Sequence, residues 1–435
     1  MKKKKVALRV YAIKVSLTSK RSSTKWTRNR TQIRKHFTSH LLSCQLDDYF
    51  ENSKQPEDEF NRKMEWCKLL KVVILKYNPT WLFNIVPTGS TVSGLATKNS
   101  DLDVAIHIPQ AAKILEERCA EKKVDEFEKK HMLREMQLEI LQIVRLILEN
   151  DEELKARVNW KIGVQLVQAQ IQILKFETVD GIECDISVIM EHFLSSMHNS
   201  FLIRQLNHID GRFAPLCGIV KEWAASTGVK NPKDGGFNSY ALVLLVIHFL
   251  QCGTYPPILP NLLQMYKNDN FIAFDDKRFP LRLDFGGALP RPLPTIRKNS
   301  SHLVQLFLEF LHYYATFDFQ KQYISFRTAT IDSRVMSKNE NVRMQQHKEV
   351  FIEDPFDLHN PGRTVRTITH IKKIMTLTLN MFVPPIEDGE DFEAQNVLFK
   401  LPSVNDIIKM PPPVFDGVFT GDTLPDNKDS SDLDL

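Results

Sequence analysis

A glycine-serine turn, followed at a fixed interval by two aspartates at the head of an apolar strand, constrains this chain more than any other feature. Pro87-Thr88-Gly89-Ser90 precedes Asn99-Ser100-Asp101-Leu102-Asp103-Val104-Ala105-Ile106. Alternate residues of a strand point the same way. Asp101 and Asp103 therefore share a face with Ala105, while Leu102, Val104, Ile106 and Ile108 line the other. Carboxylates held side by side repel each other, and a fold tolerates them best with a cation between. Hard oxygen ligands suit Mg²⁺, which is commonly held by one or two carboxylates plus substrate phosphates. The pattern points to a triphosphate presented to a divalent metal.

The Asp-x-Asp triplet alone says little. Ser431-Asp432-Leu433-Asp434-Leu435 nearly repeats Ser100-Asp101-Leu102-Asp103-Val104, but no strand or glycine turn precedes it, and it reads as a solvated tail. Two other phosphate motifs fail. Gly89 and Gly94 have P-loop spacing, yet Leu95-Ala96 stand where a Lys-Ser/Thr pair must hold phosphate and Mg²⁺. Asp284-Phe285-Gly286 spells a kinase metal motif without the H-R-D loop or the strand lysine.

Two metals clamping an in-line displacement call for a third carboxylate. The candidate is Asp185, in Val179-Asp180-Gly181-Ile182-Glu183-Cys184-Asp185-Ile186-Ser187-Val188. Asp180-Gly181 is a hairpin turn signal, and a β-prone segment (164–176) leads into it. Beyond the turn, Ile182, Cys184, Ile186 and Val188 alternate with Glu183, Asp185 and Ser187, so Glu183 and Asp185 share a polar face. On these residues alone, an exposed edge hairpin with ordinary surface acids stays open as the alternative.

A length of 435 residues predicts two domains plus tails. The longest apolar run, Ala241 to Leu250, is too short to cross a bilayer, which needs ~20 residues, so no membrane association is expected. No signal-peptide pattern is present. The six cysteines form no C-x-x-C pair, which argues against structural zinc and fits reduced thiols in a cytosolic or nuclear compartment. The net charge of +4 hides an asymmetry. Residues 1–46 hold thirteen Lys or Arg and no acid, leaving 44 basic against 53 acidic residues in the rest. A basic arm on an acidic body reads as a phosphate-backbone contact, with a localisation or transit signal as alternatives.

Helices are expected at 57–77, stopped by Asn78-Pro79, then at 110–150, 212–226, 238–251, 302–316 and 364–382. Strands at 164–189 join the 101–108 strand in a small mixed sheet. His248, on an apolar helix, reads as a hydrogen-bonded core histidine. Pro-rich breaks fall at 255–260 and 290–294.

The run Gly-Ser-x₁₀-Asp-x-Asp with the later strand Ile-Glu-Cys-Asp-Ile resembles the DNA polymerase β-like nucleotidyltransferases. Further stretches narrow the resemblance to the template-independent terminal RNA nucleotidyltransferases, the poly(A) and terminal uridylyl transferases. They are His208-Ile209-Asp210-Gly211-Arg212-Phe213, Val220-Lys221-Glu222-Trp223-Ala224, Gly235-Gly236-Phe237-Asn238-Ser239-Tyr240-Ala241-Leu242, Tyr255-Pro256-Pro257-Ile258-Leu259-Pro260 and Ile352-Glu353-Asp354-Pro355-Phe356-Asp357-Leu358-His359-Asn360-Pro361-Gly362.

The resemblance implies roles at the matching positions. Asp101, Asp103 and Asp185 would be the catalytic, metal-binding carboxylates, with Mg²⁺ or Mn²⁺ as cofactor. Gly89 and Ser90 would contact the triphosphate, Asn199 the ribose hydroxyl and Lys221 the phosphates. Ser239 would contact the incoming base and Tyr240 stack on it, while Asp357 and His359 would read the base edge, a histidine there being associated with UTP. Ala225 stands where the family often has a second lysine, and the Asp357–Asn360 loop is about one residue shorter than in uridylyl transferases.

The implied fold is two-lobed α+β: a nucleotidyltransferase with a small mixed-sheet catalytic domain (47–195) and a mostly helical poly(A)-polymerase-associated domain (196–410), between a flexible basic arm (1–46) and an acidic disordered tail (411–435). The implied reaction adds ribonucleotides from an NTP to an RNA 3′ end, as uridylyl or mixed U/G tails linked to RNA regulation or silencing. Poly(A) synthesis, an inactive scaffold, and a small-molecule or protein nucleotidyltransferase are the alternatives. With no RNA-binding module visible, RNA choice is expected from a protein partner, in the cytoplasm.

Overall fold

The structure, a computed structural model, describes residues 40–122, 124–168, 171–190, 195–266, 293, 298–326, 329–337 and 340–382. Most of the basic arm, the Asp284-Phe285-Gly286 motif and the whole acidic tail lie outside these residues.

The chain opens with α1 (His40–Ser53), α2 (Glu57–Tyr77), β1 (Asn84–Thr88), the short α3 (Gly89–Ser93) and β2 (Leu102–His107). Three helices follow, α4 (Pro109–Lys122), α5 (Glu126–Asn150) and α6 (Glu152–Arg157), then β3 (Gln165–Val167), β4 (Ile173–Glu177) and β5 (Glu183–Ile189). The five strands form one sheet in the order β1-β2-β5-β4-β3, in which the β2–β5 pair is parallel and the others antiparallel. That is the mixed sheet the sequence predicts. Strand alternation buries Leu102, Val104, Ile106, Leu174, Phe176, Ile186 and Val188 against Trp66 and Leu70 of α2 and Leu141 and Val144 of α5.

The second lobe comprises α7 (Ser195–Ile209), α8 (Phe213–Ser226), α9 (Ser239–His248), which ends in a π-helical turn, α10 (Leu262–Met265), α11 (Leu303–Thr316), β6 (Gln322–Ser325), β7 (Thr330–Ser333), α12 (Glu340–Met344) and α13 (Ile368–Phe382). Its separate core joins Trp223, Leu242, Leu245, Phe307, Phe310, Ile371 and Met375. His248 is fully buried, its Nδ1 3.0 Å from the Tyr314 hydroxyl, as a core histidine should be. Among the described residues no helix is long and apolar enough to cross a membrane.

Three local expectations are corrected, and one is refined. The helix expected over 110–150 is two helices, and the second starts at Asp125, whose carboxylate accepts the Glu128 N–H at 2.8 Å. An Asp three residues ahead of a Glu is a start signal, and it outweighs the helical periodicity running through it. The strands expected over 164–189 are present, the β-prone stretch 164–176 supplying two short antiparallel ones. The helical lobe carries a hairpin, β6–β7, that the helical pattern concealed. Finally, residues 40–46, assigned to the flexible arm, form the first turns of α1. Leu46 and Phe50 of this helix pack into the helical-lobe core, across the sequence from the sheet they immediately precede.

Candidate active site

Strand register assembles the site. Thr88, Asp103, Asp185 and Lys175 are successive lateral partners across β1, β2, β5 and β4, so their side chains lie in one row on one face of the sheet. Asp101 is exposed, one residue ahead of β2. The three sequence-predicted carboxylates thus share one edge of the sheet, where the parallel β2–β5 pair brings distant segments side by side.

Gly89 sits at φ +71°, where side chains are disfavoured. A Cβ built there would stand 2.0 Å from Asp103 Oδ2, so the glycine is required by the approach of that carboxylate. The Gly89 N–H donates to Ser200 Oγ at 2.9 Å, tying the turn to α7 of the other lobe. Ser90 follows on α3, half-buried.

Electrostatics marks the row as charge-rich and under-compensated. Burial, then the neighbouring Asp185 and Asp101, pushes the Asp103 carboxyl up to about 6. Burial also raises Asp185, against the pull of Lys175. Lys175 Nζ binds Glu183 Oε2 at 2.8 Å and lies 3.5 Å from Asp185 Oδ1, an oxygen with no hydrogen-bond partner. The Glu183 and Lys175 hydrogen bond in turn raises the lysine. Hard oxygen donors, a buried oxygen left without a donor, and a carboxyl driven toward protonation fit a divalent cation such as Mg²⁺ or Mn²⁺.

Among the described residues, the three acidic or histidine side chains whose ligand atoms gather closely enough for one ion are Asp354, Asp357 and His359, not Asp101, Asp103 and Asp185. The Asp354 trio is poorly suited to a metal, because the oxygens of Asp354 are already occupied. Its Oδ2 accepts from the Tyr240 hydroxyl at 2.7 Å and Asn199 Nδ2 at 3.0 Å, and its Oδ1 from the Phe356 and Asp357 N–H groups at 2.8 and 3.1 Å. Asp354 is fully buried, and burial, then the Asp357 charge, pushes it up to about 6.

Asp354 gathers the nucleotide-facing candidates of the helical lobe. Asn199 commits its amide nitrogen to Asp354, leaving Oδ1 buried without a hydrogen-bond partner. Half-buried Tyr240 follows Ser239 at the start of α9, where the Asn238 side chain caps the Ala241 N–H at 2.8 Å. His359 Nδ1 pairs with Asp357 Oδ1 and lies 3.8 Å from Asp354 Oδ2. Burial opposes its charge, but the two carboxylates prevail and its pKa is raised. On α8, Lys221 is half-buried, and burial lowers its pKa against the attraction of Asp101, among other charges.

The sequence reading did not single out Asp354, Lys175 or Ser200. Glu353-Asp354-Pro355-Phe356 was legible as a motif, but nothing in it tells which acid is buried. Lys175 was visible only as one polar residue in a β-prone run.

An acidic, metal-suited row on a small mixed sheet, opposed by a helical lobe, defines a nucleotidyltransferase fold. Residues 42–206 match the family described as poly(A) RNA polymerase, mitochondrial-like, central palm domain, and residues 302–360 match Cid1 family poly A polymerase. The chain belongs to the terminal nucleotidyltransferases.

Among curated relatives, the human poly(A) RNA polymerase GLD2 is 30% identical over 329 residues, covering 74% of this chain and 60% of that protein. The Drosophila melanogaster poly(A) RNA polymerase gld-2 homolog A is 27% identical over 384 residues, 85% of this chain and 25% of that protein. The chain thus spans between a quarter and three-fifths of the length of these relatives. Among solved structures, the Cid1 poly(U) polymerase superposes with a TM-score of 0.61 at 21% identity over 86% of this chain and 99% of its own. A cytoplasmic RNA terminal U-transferase superposes at 0.59 and 22% identity, over 85% and 98%. At these identities the likeness is one of fold.

Proposed function

We propose that the protein adds ribonucleotides from an NTP, without a template, to the 3′-hydroxyl of RNA. The observation that carries this reading is the lateral row Asp103–Asp185 beside Gly89 and Asp101, facing a helical lobe that holds Lys221, Asn199 and Tyr240. Asp101, Asp103 and Asp185 would hold Mg²⁺ or Mn²⁺, which when bound favours the ionised 3′-hydroxyl and offsets charge on the departing pyrophosphate.

The chain's own groups do the rest. Asp185 Oδ1, which has no hydrogen-bond partner and only the Lys175 ammonium 3.5 Å away, takes up the hydroxyl proton. Ser90 and Lys221 orient the triphosphate, and the orphan Asn199 Oδ1 accepts from a ribose hydroxyl, which selects ribonucleotides. Ser239 and the ring of Tyr240 receive the base.

Base choice rests on His359. With Nδ1 engaged by Asp357, the ring presents Nε2–H as a donor in its charged form, which the neighbouring carboxylates favour by raising the pKa. A donor suits O4 of uracil and O6 of guanine and opposes the 6-amino group of adenine. Uridylyl or mixed U/G addition is therefore the first reading, in the service of RNA regulation or silencing in the cytoplasm, with a protein partner choosing the RNA. Adenylyl addition is the second, favoured by the similarity to human GLD2. Incubating the chain with a labelled oligoribonucleotide, Mg²⁺ and each NTP, then sequencing the products, separates them. U or U/G tails are expected. Pure A tails would overturn the base assignment, and no extension even with its partner protein supplied would overturn the enzyme reading.

A further inference from the structure

Lys63 of α2 is fully buried, yet its ammonium is fully used. Nζ donates to Ser100 O at 2.6 Å, Gln55 Oε1 at 2.7 Å and Glu59 Oε1 at 2.8 Å, three acceptors for three protons. The other oxygen of Glu59 accepts the Asn99 N–H at 3.3 Å, and Asn99 sits at φ +62°, a backbone state that needs outside support in a residue with a side chain. Lys63 and Glu59 therefore grip consecutive residues of the turn that delivers Asp101. Thr91 Oγ1 lies 3.3 Å from Asp101 O and 3.4 Å from Gln55 Oε1, extending the same network to the next carbonyl.

Gln55 also links this network to the helical lobe. It follows α1, whose Phe50 ring packs where a Cβ on Gly218 would stand, 2.2 Å from Phe50 Cε1. Gly218 lies on α8, one turn before Lys221. The backbone around Gln55 is joined to the Asp101 turn by Gln55 N–H to Ala96 O at 3.0 Å and Lys98 N–H to Ser53 O at 2.8 Å. One chain of contacts thus runs from the helix carrying the phosphate-facing lysine to the backbone that presents Asp101.

Energetics argues against a purely structural role. Burying a lysine and a glutamate costs several kcal/mol per ion, and apolar residues of similar volume are often as stable or more so. The special feature here is that both ions spend hydrogen bonds on the main chain of one turn. We propose that Lys63, with Glu59 and Gln55, is a positioning residue that holds Asp101 in its cation-binding place and couples that place to the helical lobe. This inference rests on reading Asp101 as a metal-binding carboxylate.

The test uses the full chain and four variants: Asp101→Asn, Lys63→Met, the double Glu59→Leu/Lys63→Met, and Gln55→Leu. Melting temperature, Mn²⁺ affinity by electron paramagnetic resonance, and kcat and KM for NTP are measured on each. The double variant should melt at or above the wild-type temperature while Mn²⁺ affinity falls about tenfold and kcat about a hundredfold, with KM little changed. Gln55→Leu, which leaves the buried ion pair whole, should fold and lose a few-fold in both, and it decides the matter if the Lys63 variants do not fold. Wild-type Mn²⁺ affinity and kcat in a folded double variant, or in Gln55→Leu, would overturn the inference. Undiminished Mn²⁺ affinity in Asp101→Asn would instead sink the metal reading and this inference with it.

Discussion

Asp103 and Asp185 stand Cα partner to Cα partner on two parallel strands, although 82 positions separate them in the chain. Neighbouring strands lie ~4.8 Å apart, so two half-buried carboxylates stand side by side with Lys175 next in the row. The arrangement is costly to an isolated protein, and the cost is itself testable.

The carboxyl of Asp103, raised to about 6, favours its protonated form in the folded state. A raised acid contributes stability below the unfolded pKa of ~3.9 and loses it as pH climbs through the folded value. Asp103→Asn should therefore melt a few degrees higher than wild type at pH 7.5 in chelator, with the gain vanishing near pH 4, while extension is abolished. Thermal melts across that pH range check it; a variant less stable at neutral pH contradicts the charge argument. Adding Mg²⁺ should raise the wild-type melt and not that of the variant.

Gly89→Ala forces a methyl onto Asp103 Oδ2 in a left-handed backbone state. The backbone alone costs ~1–2 kcal/mol, and displacing the carboxylate by about an ångström should cost extension about a hundredfold. Gly94→Ala is the control. Its φ is similar, but the contact is the end of the flexible Asn207 side chain, so activity should survive. Equal activities in the two variants would falsify the close-approach argument.

His359 offers a pH signature. Its pKa is raised by Asp357 and Asp354, so the charged donor form is present at low pH and lost as pH rises through that value. Preference for UTP and GTP over ATP should weaken from pH 6.5 to 9. His359→Leu should remove it at every pH, by about tenfold or more, the worth of a charged hydrogen bond. Competition assays with paired nucleotides read this directly.

Tyr240→Phe keeps the ring and deletes one of the four donors to Asp354. The fold should persist with a loss of ~1 kcal/mol. KM for the nucleotide should rise several-fold with kcat nearly unchanged, because the aspartate that gathers Asn199 and His359 is loosened while the metal row is untouched. Steady-state kinetics decides; a large fall in kcat alone would place Tyr240 elsewhere in the reaction.

Much of this was legible in the residues. The Gly-Ser turn, the Asp-x-Asp spacing and the alternation around Asp185 specify a strand face, because side-chain direction along a strand repeats every second residue. Helix limits at Glu57–Tyr77 and Leu303–Thr316 follow from apolar periodicity and the Asn78-Pro79 stop. The α5 start at Asp125 was also written there but masked by periodicity.

What the sequence could not carry is partnership across the chain. Charge, spacing and turn chemistry marked three carboxylates and a glycine turn as candidates for one site. Only strand register set Lys175 beside Asp185, only lobe packing joined Gly89 to Ser200, and only burial made Asp354 the shared acceptor of Asn199 and Tyr240. Local patterns fix which way a side chain points; which distant group it meets, and whether water still reaches the pair, is settled when the two cores close.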